Sequence, residues 1–171
     1  MNNSRKVIMK KIILVIFLLA GTVFAEESNL KQQDSQEKLV MAVLDKFLRA
    51  FENGDFATME SIMTKDAYLF PRAIMSNNRT KPIDKNNYKR ITGLDPQMKQ
   101  VINSIRASGK QPPFMKLEPK DLKITLLKEA AIATFHLENG KSLSRRTIVL
   151  SKEDGSWKIV HIHPSNVVSS D

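Results

Sequence analysis

The chain has 171 residues, no cysteine and a formal charge of +9. Without a thiol there is no disulfide, no thiolate metal site and no cysteine nucleophile, so an apolar core must hold the fold unaided. The length suits one domain of ordinary size, and the basic excess allows an anionic partner.

The first residues read as a targeting segment. Arg5, Lys6, Lys10 and Lys11 precede an apolar run from Ile12 to Ala20, followed by Gly21-Thr22-Val23-Phe24-Ala25. A basic start, a short apolar core and a small residue at the end describe a secretory signal peptide, with cleavage expected after Ala25. The apolar core is shorter than the ~20 residues that cross a bilayer; the competing reading is an uncleaved anchor. Cleavage removes four basic residues and no acidic one, which lowers the charge from +9 to +5. The expected product is soluble, periplasmic or secreted, and meets the membrane only during export. Its basic residues concentrate between 79 and 123, but an exported chain rarely meets nucleic acid, so a solvated basic face is expected and no nucleic-acid partner.

Residues 26–35 are polar and predict a disordered lead into the domain. Asp34 and Glu37 have capping-box spacing. Leu39, Val40, Val43, Leu44, Phe47, Leu48 and Phe51 then fall on one helical stripe. Asn53-Gly54 stops that helix and Asp55 caps a second, whose apolar face is Phe56, Met59, Ile62 and Met63. Ala67 to Phe70 reads as a strand. Farther on, Asp95-Pro96 opens a third amphipathic helix that ends at Gly109.

The last third reads as strands: Leu122 to Lys128, Ala130 to Glu138, Lys141 to Ser151 and Trp157 to His163. Asn139-Gly140 and Asp154-Gly155 mark hairpin turns between them. Helices first and an antiparallel meander after them predict an α+β domain.

Two stretches carry a resemblance. "VLDKFLRAFENGDFATMESIMTKDAYLF" (43–70) and "RRTIVLSKEDGSWKIVHIHPS" (145–165) resemble the opening and closing segments of the nuclear transport factor 2-like, or SnoaL-like, superfamily. Within it the chain looks most like the association (hub) domain of calcium/calmodulin-dependent kinase and its small bacterial relatives, where an Asp-Gly-x-Trp turn also leads into a strand ending His-x-His-x-Ser. The resemblance implies a cone over residues 36–167: a strongly curved sheet around a helix, with a ligand-sized pocket and frequent dimers. It does not choose a function, because this superfamily hosts both enzymes and assembly modules.

Candidate sites follow from the strand period of two. Trp157, Ile159, His161 and His163 are expected on one face, and Val160, Ile162 and Pro164 on the other. A two-residue Asp154-Gly155 turn pairs Ile148 with His161 and puts the histidines with Arg146 and Phe135. A three-residue turn with a bulge slips the register by one and puts Val160, Ile162 and Pro164 there instead. The hub-like relatives turn the position of Pro164 toward the pocket, which favours the bulged turn and sends His161 and His163 to the face where such domains pair.

The expected pocket residues are thus Tyr68, Phe70, Phe135, Arg146 and Ile162, holding a small apolar or amphipathic ligand. Trp157, His161 and His163 are expected at an interface or pocket wall of a homodimer. An arginine in such a cone suits a carboxylate or phosphate, but the hub's own pocket arginine is Ile148 here. No metal and no cofactor are expected, because the histidine pair lacks a third ligand. The alternative to a binding module is an isomerase- or dehydratase-type enzyme using Tyr68 with a carboxylate or a histidine. Catalytic residues are not assigned: no buried acid/base pair and no nucleophile elbow is legible.

Overall fold

The computed structural model describes residues 30–69, 91–139 and 142–168. The chain separates into two compact units, Met1–Lys38 and Leu39–Asp171. Within the first, residues 30–38 are helical. The lead expected to be disordered up to residue 35 is therefore helix from residue 30 onward, since nothing between Leu30 and Asp34 breaks one. Residues 1–25, expected to be a signal peptide, lie outside the described residues.

In the second unit, helix α1 (residues 30–53, of which 39–53 belong here) presents Val40, Leu44, Phe47 and Leu48 to the core, each at most 6% exposed. Their three- and four-residue spacing puts them on one face. Gly54 ends the helix at φ +63°, and its N–H donates to the Phe51 carbonyl at 3.1 Å. Helix α2 (Phe56–Ser61) begins at Asp55, whose carboxylate accepts from the Thr58 N–H at 3.0 Å. Hydrogen bonds from the Thr58 side chain and backbone hold the Asp55 carboxyl below its ordinary range. Ile62 and Met63, expected to extend that helix, instead turn the chain into β1 (Met63–Leu69) and remain buried there.

β2 (Ile91–Thr92) and α3 (Pro96–Ala107) precede four long strands. These are β3 (Lys120–Leu126), β4 (Ala130–Asn139), β5 (Ser142–Glu153) and β6 (Ser156–Val168). The sheet order is β2-β1-β6-β5-β4-β3. The meander is antiparallel throughout, β3 to β4 included, whereas β1 joins β6 in parallel. The architecture is the expected α+β one: helices against a curved, unclosed sheet.

One face of the sheet meets α1. It carries Ala131, Ala133, Phe135, Ile148, Leu150, Trp157, Ile159 and Ile162, which cluster with the α1 stripe. Burial of this face is the main stabilising term, at roughly 25 cal/mol per Å² of apolar surface removed from water.

The edge strand β3 is guarded. Its register shifts between Lys120 and Lys123, and Asp121 has φ +50°. Bulges and lysines on an edge oppose pairing with a further strand.

A latch joins α1 to the segment entering β3. Glu52 is the buried charged residue of the described core, 4% exposed. Its Oε1 accepts from the Leu117 N–H at 2.5 Å, and its other carboxylate oxygen is paired with Arg49. The Glu52 carbonyl accepts from the Phe114 N–H at 2.7 Å. Glu52 continues the four-residue spacing of Val40, Leu44 and Leu48, a signal that places a carboxylate at the border of the apolar stripe.

Candidate functional site

The position of every candidate on β6 depends on one residue. At the hairpin, Glu153 pairs with Ser156, Lys152 with Trp157 and Leu150 with Ile159. Asp154 and Gly155 form the turn at φ +50° and +76°, the positive pair that a tight two-residue hairpin demands. The register then shifts between Leu150 and Val149, so that Val149 pairs with His161, Ile148 with Ile162 and Arg146 with Pro164. Val160 is the extra residue of a β-bulge.

This corrects two expectations. The turn is the two-residue form, not the bulged one; the bulge lies five residues past Gly155, inside the strand. It also separates Trp157 and Ile159 from the histidines, because an inserted residue reverses the side-chain alternation beyond it. Trp157 and Ile159, 5% and 0% exposed, belong to the core face with Ile162. His161 and His163 lie on the opposite face. Of the three residues the slipped register was expected to set beside Arg146 and Phe135, Ile162 and Pro164 are there, whereas Val160 is the extra residue of the bulge.

The core face therefore brings together Phe135, Arg146 and Ile162, while Trp157 lies on the same face at the hairpin end, opposite Lys152. Phe135 pairs directly with Arg146 across β4 and β5. Arg146 is half-buried; its Nη1 donates to the Ser144 hydroxyl and, at 3.1 Å, to the Arg145 carbonyl. A cation among apolar side chains is the chemistry that holds an anionic head on an apolar body.

Tyr68 is not with them. It pairs in parallel with His161, and their ring centroids are 4.4 Å apart at 35°. Its neighbours Ala67 and Leu69 take the core face, 0% and 8% exposed. The expectation that Tyr68 lines the pocket is therefore corrected: pairing with β6 turns it to the histidine face. Phe70 lies outside the described residues.

The second face is thus a polar–aromatic patch. His161 Nδ1 donates to the Tyr68 carbonyl at 3.1 Å, and the His163 ring centroid is 6.3 Å from that of His161. Thr147 pairs with His163 and Val149 with His161, and Thr134 and Ile132 continue the same rows on β4. Reading the sequence missed Thr147 and Val149 as members, because their membership follows from the bulge. His136 lies apart on this face, where its two ring nitrogens are 3.4 Å from Asp121 and 3.0 Å from Glu138. Among the described residues, no three histidine, aspartate or glutamate side chains are arranged to hold a metal.

Comparison with known proteins agrees with this architecture. The association domain of Caenorhabditis elegans calcium/calmodulin-dependent kinase II superposes with a TM-score of 0.53 at 16% identity, covering 78% of this chain and 98% of that one. A nuclear transport factor 2-like protein of unknown function from Shewanella baltica gives 0.56 at 16% identity, covering 79% and 96%. A candidate dehydratase of the same fold family from Streptomyces avermitilis gives 0.54 at 16%, covering 80% and 99%. These likenesses show the fold. No functionally curated protein matches. The family model for the calcium/calmodulin-dependent protein kinase II association domain matches residues 36–168, most of the chain, and the protein belongs to that family.

Proposed function

We propose that this protein is an exported assembly module that pairs with a second copy of itself and holds a small amphipathic ligand at the Arg146 end of its core face. The observation that carries the reading is the separation of the two faces. Tyr68, His161 and His163 share a surface with Thr147 and Val149 and no part of the apolar core. Such a mixture of rings, hydroxyls and a branched aliphatic side chain suits a flat protein contact, in which aromatic residues supply area and each polar group keeps a partner.

The family's association domains are by name assembly units, which supports self-pairing. The Arg146–Phe135–Ile162 cluster supports a ligand with an anionic group and an apolar body. The enzymatic alternative needs a tyrosine beside an acid inside the cone. Tyr68 stands on the other face, so the binding reading is preferred.

Native mass spectrometry of the mature protein tests both halves. A homodimer or larger ring, together with a bound small mass lost in Arg146→Met, is the expected result. A bare monomer at micromolar concentration refutes the proposal.

A further inference from the structure

We infer that the self-pairing surface is gated by protons: uptake of charge by His161 and His163 separates the copies. This rests on the assembly reading above and adds its regulation.

The geometry of the patch leads there. A carbonyl oxygen can only accept, so the His161 contact with the Tyr68 carbonyl at 3.1 Å puts the neutral ring's proton on Nδ1. The next proton then adds at Nε2 and leaves a cation stacked on Tyr68 at 4.4 Å. His163, paired with Thr147, stands next to it at 6.3 Å between ring centroids. A two-fold contact repeats every residue, so one seam holds two such pairs, four imidazoles in all.

The neighbours on every adjoining strand set the sign. On β5 the residues opposite are Thr147 and Val149, and on β1 the residue opposite is Tyr68. Farther out, Lys158 pairs with Ser151, Arg145 with Ser165 and Lys123 with Thr134. Asp66, two residues before Tyr68, is exposed. His136 has Asp121 and Glu138 beside it. The centre of the patch, among the described residues, therefore carries no permanent charge, while its frame is mixed, with Lys158, Arg145 and Lys123 against Asp66, Asp121 and Glu138.

At neutral pH such a patch meets its own copy without like-charge repulsion. In acid each seam gathers up to four imidazolium cations close together in a partly dehydrated layer. Burial and like charge both disfavour the protonated rings there, whereas in the separated copies water solvates them. Protons consequently bind the free copies better, and by linkage acid shifts the equilibrium toward them.

The test is sedimentation velocity on the mature chain at about pH 7.5 and about pH 5.5, with circular dichroism at both, since histidine changes charge between these values. The self-dissociation constant is expected to rise about tenfold or more in acid, with the fold intact. His161→Gln/His163→Gln is expected to hold the change within about twofold, and His163→Lys to weaken pairing already at neutral pH. His163 is exposed, so its single variants report even where the double variant fails to fold. Equal pairing at both pH values overturns the gate and leaves the assembly reading standing. An unchanged acid response in the histidine variants assigns it to His136 and overturns the gate as well. A monomer at neutral pH brings down both.

Discussion

Replacing Gly54 by alanine tests how the turn after α1 is held. Gly54 sits at φ +63°, and a Cβ built there falls 2.5 Å from Ile102 Cγ2, 3.1 Å from Phe114 Cε2 and 3.3 Å from Arg106 Nη2. The arginine is flexible and its Nη2 also donates to the Gly54 carbonyl at 3.1 Å. Ile102 is 2% exposed, and Cγ2 sits one bond from its Cβ, so it moves only with its helix. A left-handed conformation costs an alanine about 1–2 kcal/mol. Overpacking against a buried side chain adds about 1–3 kcal/mol. Alanine also stiffens the unfolded chain, which returns roughly 0.4–1 kcal/mol. The net loss is about 2–4 kcal/mol, a large part of the ~5–15 kcal/mol that holds a domain.

Urea unfolding followed by circular dichroism reads this directly. Gly109→Ala is the control: its φ is +86°, but nothing lies within 4 Å of the added Cβ, so only the backbone term applies. Ile102→Ala removes the clashing methyl group, and in that background Gly54→Ala is expected to cost less than in the natural one, the 3.1 Å contact with Phe114 remaining. If Gly54→Ala in the natural background is no worse than Gly109→Ala, the packing argument is refuted.

Three further predictions follow from the same physical terms. Glu52→Ala leaves the Leu117 N–H and Arg49 without their carboxylate and is expected to cost about 2–4 kcal/mol, with faster hydrogen exchange at Leu117 and Phe114 as its local signature. Asp55→Ala removes the cap of α2; because the folded carboxyl is held below its ordinary value, its contribution is present above about pH 3.9 and disappears as pH falls through the lower folded value. The variant's melting temperature should therefore lie below that of the natural protein at neutral pH and converge with it in strong acid. Intact-mass measurement on protein recovered from its native host is expected to lack residues 1–25, and a mass that includes Met1 to Ala25 supports the anchor reading instead.

What the sequence determined by itself is local: the apolar stripe of α1, the Asp55 cap, the Pro96 start of α3, the position but not the form of the Asp154-Gly155 turn, and the four strands of the meander. Each follows from short-range sterics or from periodicity, and the α+β class follows from their order. Glu52 was not read from the sequence, although its four-residue spacing from Leu48 was a signal for it; the fold supplied its burial and its partner Leu117. The faces of β6 were not legible. Val160 carries no mark that distinguishes a bulge residue from a paired one, since what extrudes it is simultaneous pairing of β6 with β5 on one side and β1 on the other. Tyr68 is the same case: its strand was readable, but its face follows from parallel pairing with a strand 93 residues away. A strand's side chains alternate with a period of two, so a single extra residue transfers all later ones between core and surface. That is why Trp157 and His161 could be found in the sequence, and only the tertiary structure could set them on opposite sides of the sheet.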